Sequence, residues 1–312
     1  MFIVAVDEQR SFGIKPMNCP GCMLFYNATS HSYRDLPLKI AEFGLVHRKE
    51  PSGALNGLFR VQSFHQDDAH LFMQPCQIKD EILEVLKLVR KIYHTFGLEY
   101  TLELSTRPEK SIGTDADWDI ATKGLQDALE AWGEKYEINK GDGAFYGPKI
   151  DLHVLDALGR KWQCGTVQLD MALPERFELE YKDKNGELKR PIMLHRAIFG
   201  SMERFLGILI EHFKGKFPLW LSPNPLVIIP VAKTHHEYAI ELKKQFKDKG
   251  LDCVIDLSED SLGKKIRAAQ IRQTNYMITI GDNEVQNNSL SLRTRDNTNH
   301  GEQPISNFIN SC

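Results

Sequence analysis

The stretch EFGLVHRKEPSGALNGLFRVQSFHQDDAHLF, residues Glu42 to Phe72, decides the fold of this chain. It reads as strand, loop, strand. Its centre, Pro51-Ser52-Gly53-Ala54-Leu55-Asn56-Gly57, is rich in turn formers, so the chain reverses there. Alternate side chains of a strand share a face. Counting by two from Arg60 puts Arg60, Gln62, Phe64, Gln66, Asp68 and His70 on one face. A core sheet would not choose that row, because each buried polar group needs a partner. A solvated face rarely interleaves a phenyl ring with such varied donors and acceptors. The row reads as the floor of a site for a ligand with a ring and several charges.

Working outward, the length of 312 residues suits one large domain plus one small one. The net charge of −3 provides no global basic field, so any nucleic-acid binding must rest on local clusters. Six cysteines in such a chain lack the density of a secreted disulfide scaffold and point to a reducing compartment. No apolar run reaches membrane-spanning length, and MFIVAVDEQR has no charged leader with a long apolar core. A cytoplasmic protein without membrane contact is expected.

Along the chain, Ile78, Ile82, Val85, Leu86, Val89, Ile92, Tyr93 and Phe96 recur at helical spacing, as do Trp118, Ala121, Leu125, Ala128, Leu129 and Trp132. Both patterns predict core-facing helices. Gly141-Asp142-Gly143-Ala144-Phe145-Tyr146-Gly147-Pro148-Lys149 predicts a loop whose glycines admit close backbone approach. Lys161 to Leu169 predicts a strand with Gln163, Gly165 and Val167 on one side and Cys164, Thr166 and Gln168 on the other. Pro191 to Ile198 predicts a strand carrying His195. Ser201 to Phe213 predicts a helix with Met202, Phe205, Leu206, Leu209 and Ile210 inward and Arg204 off the stripe. Three prolines between Phe217 and Pro225 predict a linker. Strands and helices alternate beyond it, with a capping box at Thr234-His235-His236-Glu237, which implies a mostly parallel open sheet. Cys19 and Cys22 form a C-x-x-C with no second pair nearby, moderate evidence for metal.

His47-Arg48-Lys49-Glu50 with its loop and second strand resembles motif 2 of the class II aminoacyl-tRNA synthetases. Gln66-Asp67-Asp68-Ala69-His70, Lys15-Pro16-Met17-Asn18-Cys19-Pro20-Gly21, Leu104-Ser105-Thr106-Arg107-Pro108-Glu109, the Gly143–Lys149 block, Trp162-Gln163-Cys164-Gly165-Thr166-Val167-Gln168 and His195-Arg196-Ala197 with Gly200–Phe205 are similar to the threonyl-tRNA synthetase family. So many blocks in one order are highly specific, and the similarity covers essentially the whole chain. The resemblance implies an α+β catalytic domain at 1–221, an antiparallel sheet flanked by helices. It implies a smaller α/β anticodon-binding domain at 222–312. It also implies editing domains and motif 1 upstream of this chain, and a homodimer in the full-length protein.

The implied activity is a threonine–tRNA ligase, with threonine, ATP and tRNA as partners. Arg48 would grip the α-phosphate and the carboxylate. Glu50 would accept from adenine, Phe64 would stack on it, Arg60 would hold the terminal phosphates and Gln163 would touch ribose or adenine. Arg204 would stack over the base and reach the phosphates, making Arg48 and Arg204 the catalytic pair. Magnesium would accompany ATP. Gln66, Asp68, Tyr146 and Gln168 would hold threonine. Cys19, His70 and His195 match the family's zinc ligands, three protein donors that leave one position open. Cys22 departs from the family's usual histidine, and a second thiolate there could join the metal or bond to Cys19. Glu284 and Arg293 match positions that read anticodon bases. Two rivals are a non-catalytic tRNA-binding or regulatory paralogue and an acyl-adenylate former with a non-tRNA acceptor. The intact row Arg48, Glu50, Arg60, Phe64 and Arg204 favours ATP chemistry.

Overall fold

The computed structural model describes residues 1–156 and 158–311; Cys312, counted above among the cysteines, lies outside them. The chain forms two compact units, Met1–Leu209 and Ile210–Cys312. No helix among the described residues is long and apolar enough to cross a membrane.

The first unit opens with a hairpin of β1 (Phe2–Ala5) and β2 (Ser11–Ile14), then α1 (Cys19–Asn27), β3 (Leu38–His47) and β4 (Ser63–Met73). α2 (Ile78–Thr95), β5 (Tyr100–Ser105), α3 (Asp115–Trp132), β6 (Tyr136–Asn139), β7 (Lys149–Leu155) and β8 (Lys161–Asp170) follow. A short α4 (Ala172–Arg176), the two-residue strands β9 (Tyr181–Lys182) and β10 (Leu188–Lys189), β11 (Ile192–Ala197) and α5 (Met202–His212), whose last residues pass the boundary at Leu209, complete the series. Seven strands form one sheet in the order β3-β4-β11-β8-β7-β5-β6. Every pairing is antiparallel except that of β5 with β6. The sequence-distant β4 and β11 are therefore neighbours, and His195 lies directly across from His70.

α2 and α3 pack on each other and on the sheet through the apolar stripes expected of them. Each large apolar side chain buried this way contributes roughly 1.5–3 kcal/mol relative to exposure. α3 begins with a reciprocal capping box: Thr114 Oγ1 accepts from Asp117 N at 3.2 Å, and the Asp117 carboxylate accepts from Thr114 N at 3.2 Å. α1 tolerates Pro20 because it falls in the first turn, where no intrahelical donor is lost.

Three sequence expectations shift. β4 begins at Ser63, so Arg60 and Gln62 belong to the preceding loop, and of the six only Phe64, Gln66, Asp68 and His70 share the strand face. α5 buries Phe205, Ile208 and Leu209, whereas Leu206 is 48% and Ile210 41% exposed. The inward stripe follows the i, i+3, i+4 spacing from Phe205. Alternation in β8 is also broken, as described below.

The second unit contains β12 (Leu226–Pro230), α6 (His236–Asp248), β13 (Cys253–Ile255), α7 (Leu262–Ile271), β14 (Tyr276–Ile280), α8 (Asp282–Asn287), β15 (Ser289–Thr294), β16 (Asn299–Pro304) and α9 (Ile305–Ser311). Its sheet runs β13-β12-β14-β15-β16: β12 is parallel to both its neighbours, and β15 and β16 add antiparallel. Leu226, Ile228, Phe246, Ile278 and Phe308 form a core on one face, and Val227, Ile229, Ala269 and Met277 on the other. Burial on both faces explains why β12 reads as an unbroken apolar run. The Thr234 capping box is replaced by a 3-10 turn, Lys233–His235, in which His235 Nδ1 accepts from Ala232 N at 3.1 Å. The imidazole caps the backbone N–H of Ala232, two residues before Thr234, so the turn starts earlier than the expected box.

Candidate active site

Two adjoining clefts, of about 320 and 280 Å³, lie over the β4 floor and share Arg48, Gln66 and Gln163. The larger is lined by Arg48, Glu50, Phe59, Arg60, Phe64 and Arg204, among others. Arg60 Nη2 is 2.7 Å from Glu50 Oε2. Arg48 donates from Nε to Pro16 O at 3.0 Å, and its guanidinium carbon lies 5.2 Å from the centre of the Phe64 ring. Arg204 donates to Phe59 O at 2.8 Å and to Gln163 O at 2.7 Å, while Ser201 Oγ accepts from Arg204 N at 3.0 Å and holds the start of α5. Burial, reinforced by the charges of Arg60 and Arg48, holds Arg204 below its ordinary range. Three guanidinium groups repel one another in one cleft, and a polyanion with several oxygens relieves that repulsion.

The smaller cleft is lined by Cys19, Gln66, Asp68, Tyr146, Gln168 and His195, among others. Cys19, His70 and His195, all buried, have ligand atoms within 4.8 Å of one another. Cys19 Sγ is 3.3 Å from His195 Nδ1, and His195 Nε2 is 2.9 Å from Asp170 Oδ2. Asp170 is itself fixed: its other oxygen accepts from Ala172 N at 3.0 Å and Leu173 N at 2.9 Å. The carboxylate thus sets the ring so that Nδ1 faces the thiol, the arrangement that orients a histidine ligand. Burial opposes a charge on His195, but the hydrogen bonds with Asp170 and Cys19 outweigh it and raise the imidazole to about 10. Burial, then the neighbouring His195, pushes His70 down to about 3, so that ring is neutral. Its Nε2 is buried without a hydrogen-bond partner. A buried orphan nitrogen beside a thiol and a second imidazole is a donor set that fits zinc.

Cys22 stays out of that set. It packs with Met23, Tyr26, Phe72 and Met193, and burial lifts its thiol to about 12. Neither the four-donor set nor a Cys19–Cys22 disulfide forms; both thiols are free.

β8 departs from simple alternation. Leu152 pairs with Gly165 but His153 pairs with Gln163, so Cys164 is an extra residue on β8. This bulge re-phases the strand. Gln163 and Thr166, expected on opposite faces, are bonded side chain to side chain at 3.2 Å, and both line the clefts with Gln168. Tyr146 donates to Gln168 Oε1 at 2.8 Å. The loop carrying Tyr146 presses on β8 at Gly147, where a Cβ would lie 1.9 Å from Leu169 O, so only glycine fits. Lys149, Thr166 and Ser201 also line the clefts and were not singled out from the sequence. Lys149 pairs with Asp151 at 2.7 Å and Asp142 at 3.3 Å. Its signal was available: a lysine entering a strand next to an alternating Asp151.

In the second unit, Glu284 accepts from Gly281 N at 2.8 Å and Ser291 Oγ at 2.6 Å. Arg293 on β15 donates to Asn297 Oδ1 at 2.7 Å.

Residues 2–213 match the model of the tRNA synthetase class II core domain (G, H, P, S and T), and residues 226–312 match that of an anticodon binding domain. A threonine–tRNA ligase of Protochlamydia amoebophila is 62% identical over 310 residues, and one of Chlamydia caviae 58% identical over 312. These matches take in 99% and 100% of this chain but 48% and 49% of the relatives, so the chain spans about half their length. A crystal structure of the RNA binding domain of threonyl-tRNA synthetase from Cryptosporidium parvum superposes with a TM-score of 0.93 at 43% identity, covering 100% of this chain and 78% of that one.

Proposed function

Given that this chain belongs to the class II tRNA synthetase core family, with an anticodon-binding domain attached, we propose that it activates threonine with ATP and transfers it to tRNA. One observation carries the reading: the cleft with three arginines, Glu50 and Phe64 opens beside the cleft lined by Cys19, Asp68 and His195, where buried His70 completes the group of three donors.

In the first step the carboxylate of threonine attacks the α-phosphorus of ATP and pyrophosphate leaves. In the second, a hydroxyl of the terminal ribose of tRNA takes the acyl group and AMP leaves. Such chemistry rests on positioning and charge stabilisation. Arg48, on both clefts, would bridge carboxylate and α-phosphate. Glu50 would accept from the adenine amino group, Phe64 would stack on the ring, and Gln163 would meet the ribose side. Arg60 must exchange Glu50 for the terminal phosphates, while Arg204 covers the base. Cys19, His70 and His195 would hold zinc, which supplies a Lewis-acidic anchor for a vicinal amine and hydroxyl. Asp68, Gln66, Tyr146 and Gln168 would orient those two groups. Magnesium would enter with ATP.

We assign the catalytic role to residues 1–221 and anticodon binding to 222–312, with Glu284 and Arg293 as base readers. A homodimer, at the length of the relatives, and a cytoplasmic location complete the proposal. Threonine-dependent exchange of pyrophosphate into ATP by the purified chain tests it. Exchange with threonine and none with valine is expected; no exchange with any amino acid, from a folded chain that binds ATP, would contradict adenylate formation.

A further inference from the structure

We infer that Asn18 is a specificity-determining positioning residue: it fixes the Asp68 carboxylate as the acceptor for the substrate hydroxyl. The inference rests on the proposed reading of the smaller cleft as the threonine site. Asn18 is 2% exposed, in the turn before α1 that also delivers Cys19. Its Nδ2 donates to Asp68 Oδ2 at 3.1 Å, and its Oδ1 accepts from Lys15 Nζ at 2.8 Å. The amide is thereby polarised and its orientation fixed from both ends. With Oδ2 taken, Asp68 turns Oδ1 toward the metal-ligating side, 3.7 Å from His70 Nε2.

The surrounding strands are arranged for this contact. Gly44 of β3 lies on the cleft face, paired with Gln66, and a Cβ there would come within 2.2 Å of the Asn18 amide. The missing side chain is the space Asn18 occupies. Directly across from Asp68 stands Glu42, a like-charge cross-strand pair that repels. Lys15 Nζ, 4.0 Å from Glu42 Oε2 while bonded to Asn18, offsets that repulsion from above. Asn18 therefore joins a solvent-facing lysine to a buried carboxylate whose free oxygen would meet the hydroxyl.

The test measures binding of non-reactive threonyl- and valyl-adenylate analogues by calorimetry, with zinc content checked, on the native chain and on Asn18→Ala, Gly44→Ala and Lys15→Met. Asn18→Ala should weaken the threonyl analogue by about 10–100-fold and the valyl analogue by less than about threefold, because valine has no hydroxyl to lose. Gly44→Ala, which displaces Asn18, should reproduce the pattern. Lys15→Met, altering only an exposed side chain, should show it more weakly and with an unchanged melting temperature. Equal losses on both analogues, or loss of zinc with the fold, would reduce Asn18 to a packing residue and overturn the inference while leaving the threonine site standing. A native chain that prefers the valyl analogue would overturn the reading beneath it, and the inference with it.

Discussion

The two adjoining clefts are built on opposite principles. The arginine cleft holds its charges with contacts that can be traded: Glu50 holds Arg60, and backbone carbonyls hold Arg48 and Arg204. The smaller cleft takes its key groups, Cys19, Asp68 and His195, from buried positions held through a second layer, with Asp170 behind His195 and Asn18 behind Asp68. A part of the substrate that never varies, such as a nucleotide, tolerates a site that rearranges around it. A part that must be told from close analogues needs groups fixed before it arrives. Under the proposed function, the difference would give affinity for ATP to one cleft and choice of amino acid to the other.

The sharpest way to break this division is through the buried cleft. His70→Ala should empty the metal group, so that zinc measured by atomic absorption falls to none. The preference for threonine over valine, roughly 10⁴–10⁵ for a site built around a hydroxyl, should then collapse toward unity in pyrophosphate exchange. Arg48→Ala should instead reduce exchange by about 10²–10³ for threonine and serine alike, as loss of a charge-stabilising donor does. A loss confined to one amino acid would give Arg48, which lines both clefts, a part in choosing the amino acid. Asp170→Asn should leave the ligands in place but weaken zinc binding by about 10–100-fold in a chelator competition, through a misdirected His195. The smallest effect is the native preference for threonine over serine. Serine keeps amine and hydroxyl and lacks one methyl, worth only about 1–3 kcal/mol, so serylated tRNA should be detectable where valylated tRNA is not. Equal charging of valine and serine would show that the hydroxyl is not what this cleft reads.

Period-2 counting found the four floor residues that lie on β4, whereas Arg60 falls in the loop before the strand and Arg48, Glu50 and Arg204 were marked by the resemblance alone. β4 is a regular strand, and period-2 counting from Phe64 to His70 holds along it. The same counting failed on β8, because one extra residue, Cys164, re-phases the strand and brings Gln163 to the side of Thr166. A bulge leaves no periodic trace in a single sequence. The metal group could not be assembled from spacing, since Cys19, His70 and His195 meet only through the pairing of β4 with β11 and the placing of α1. Cys19 and Cys22 form one C-x-x-C in the sequence and both touch the same apolar cluster, yet only the Cys19 thiol also reaches the two histidines. Lys149 was hidden in a loop reading although it begins β7. In the second unit the alternating pattern was legible because buried strands are uniformly apolar, whereas the turn at Thr234 was not, since a 3-10 turn capped by His235 on Ala232 N precedes the helix.

The division of labour is tested most directly by calorimetric binding of ATP and of threonine, separately, to the zinc-loaded chain and to the same chain stripped with a chelator. Stripping should abolish threonine binding and leave the affinity for ATP within about twofold, because no arginine-cleft residue belongs to the Cys19, His70 and His195 group. Loss of both affinities together, in a chain that stays folded, would show one coupled site and contradict the account. Unchanged threonine binding without zinc would contradict it equally.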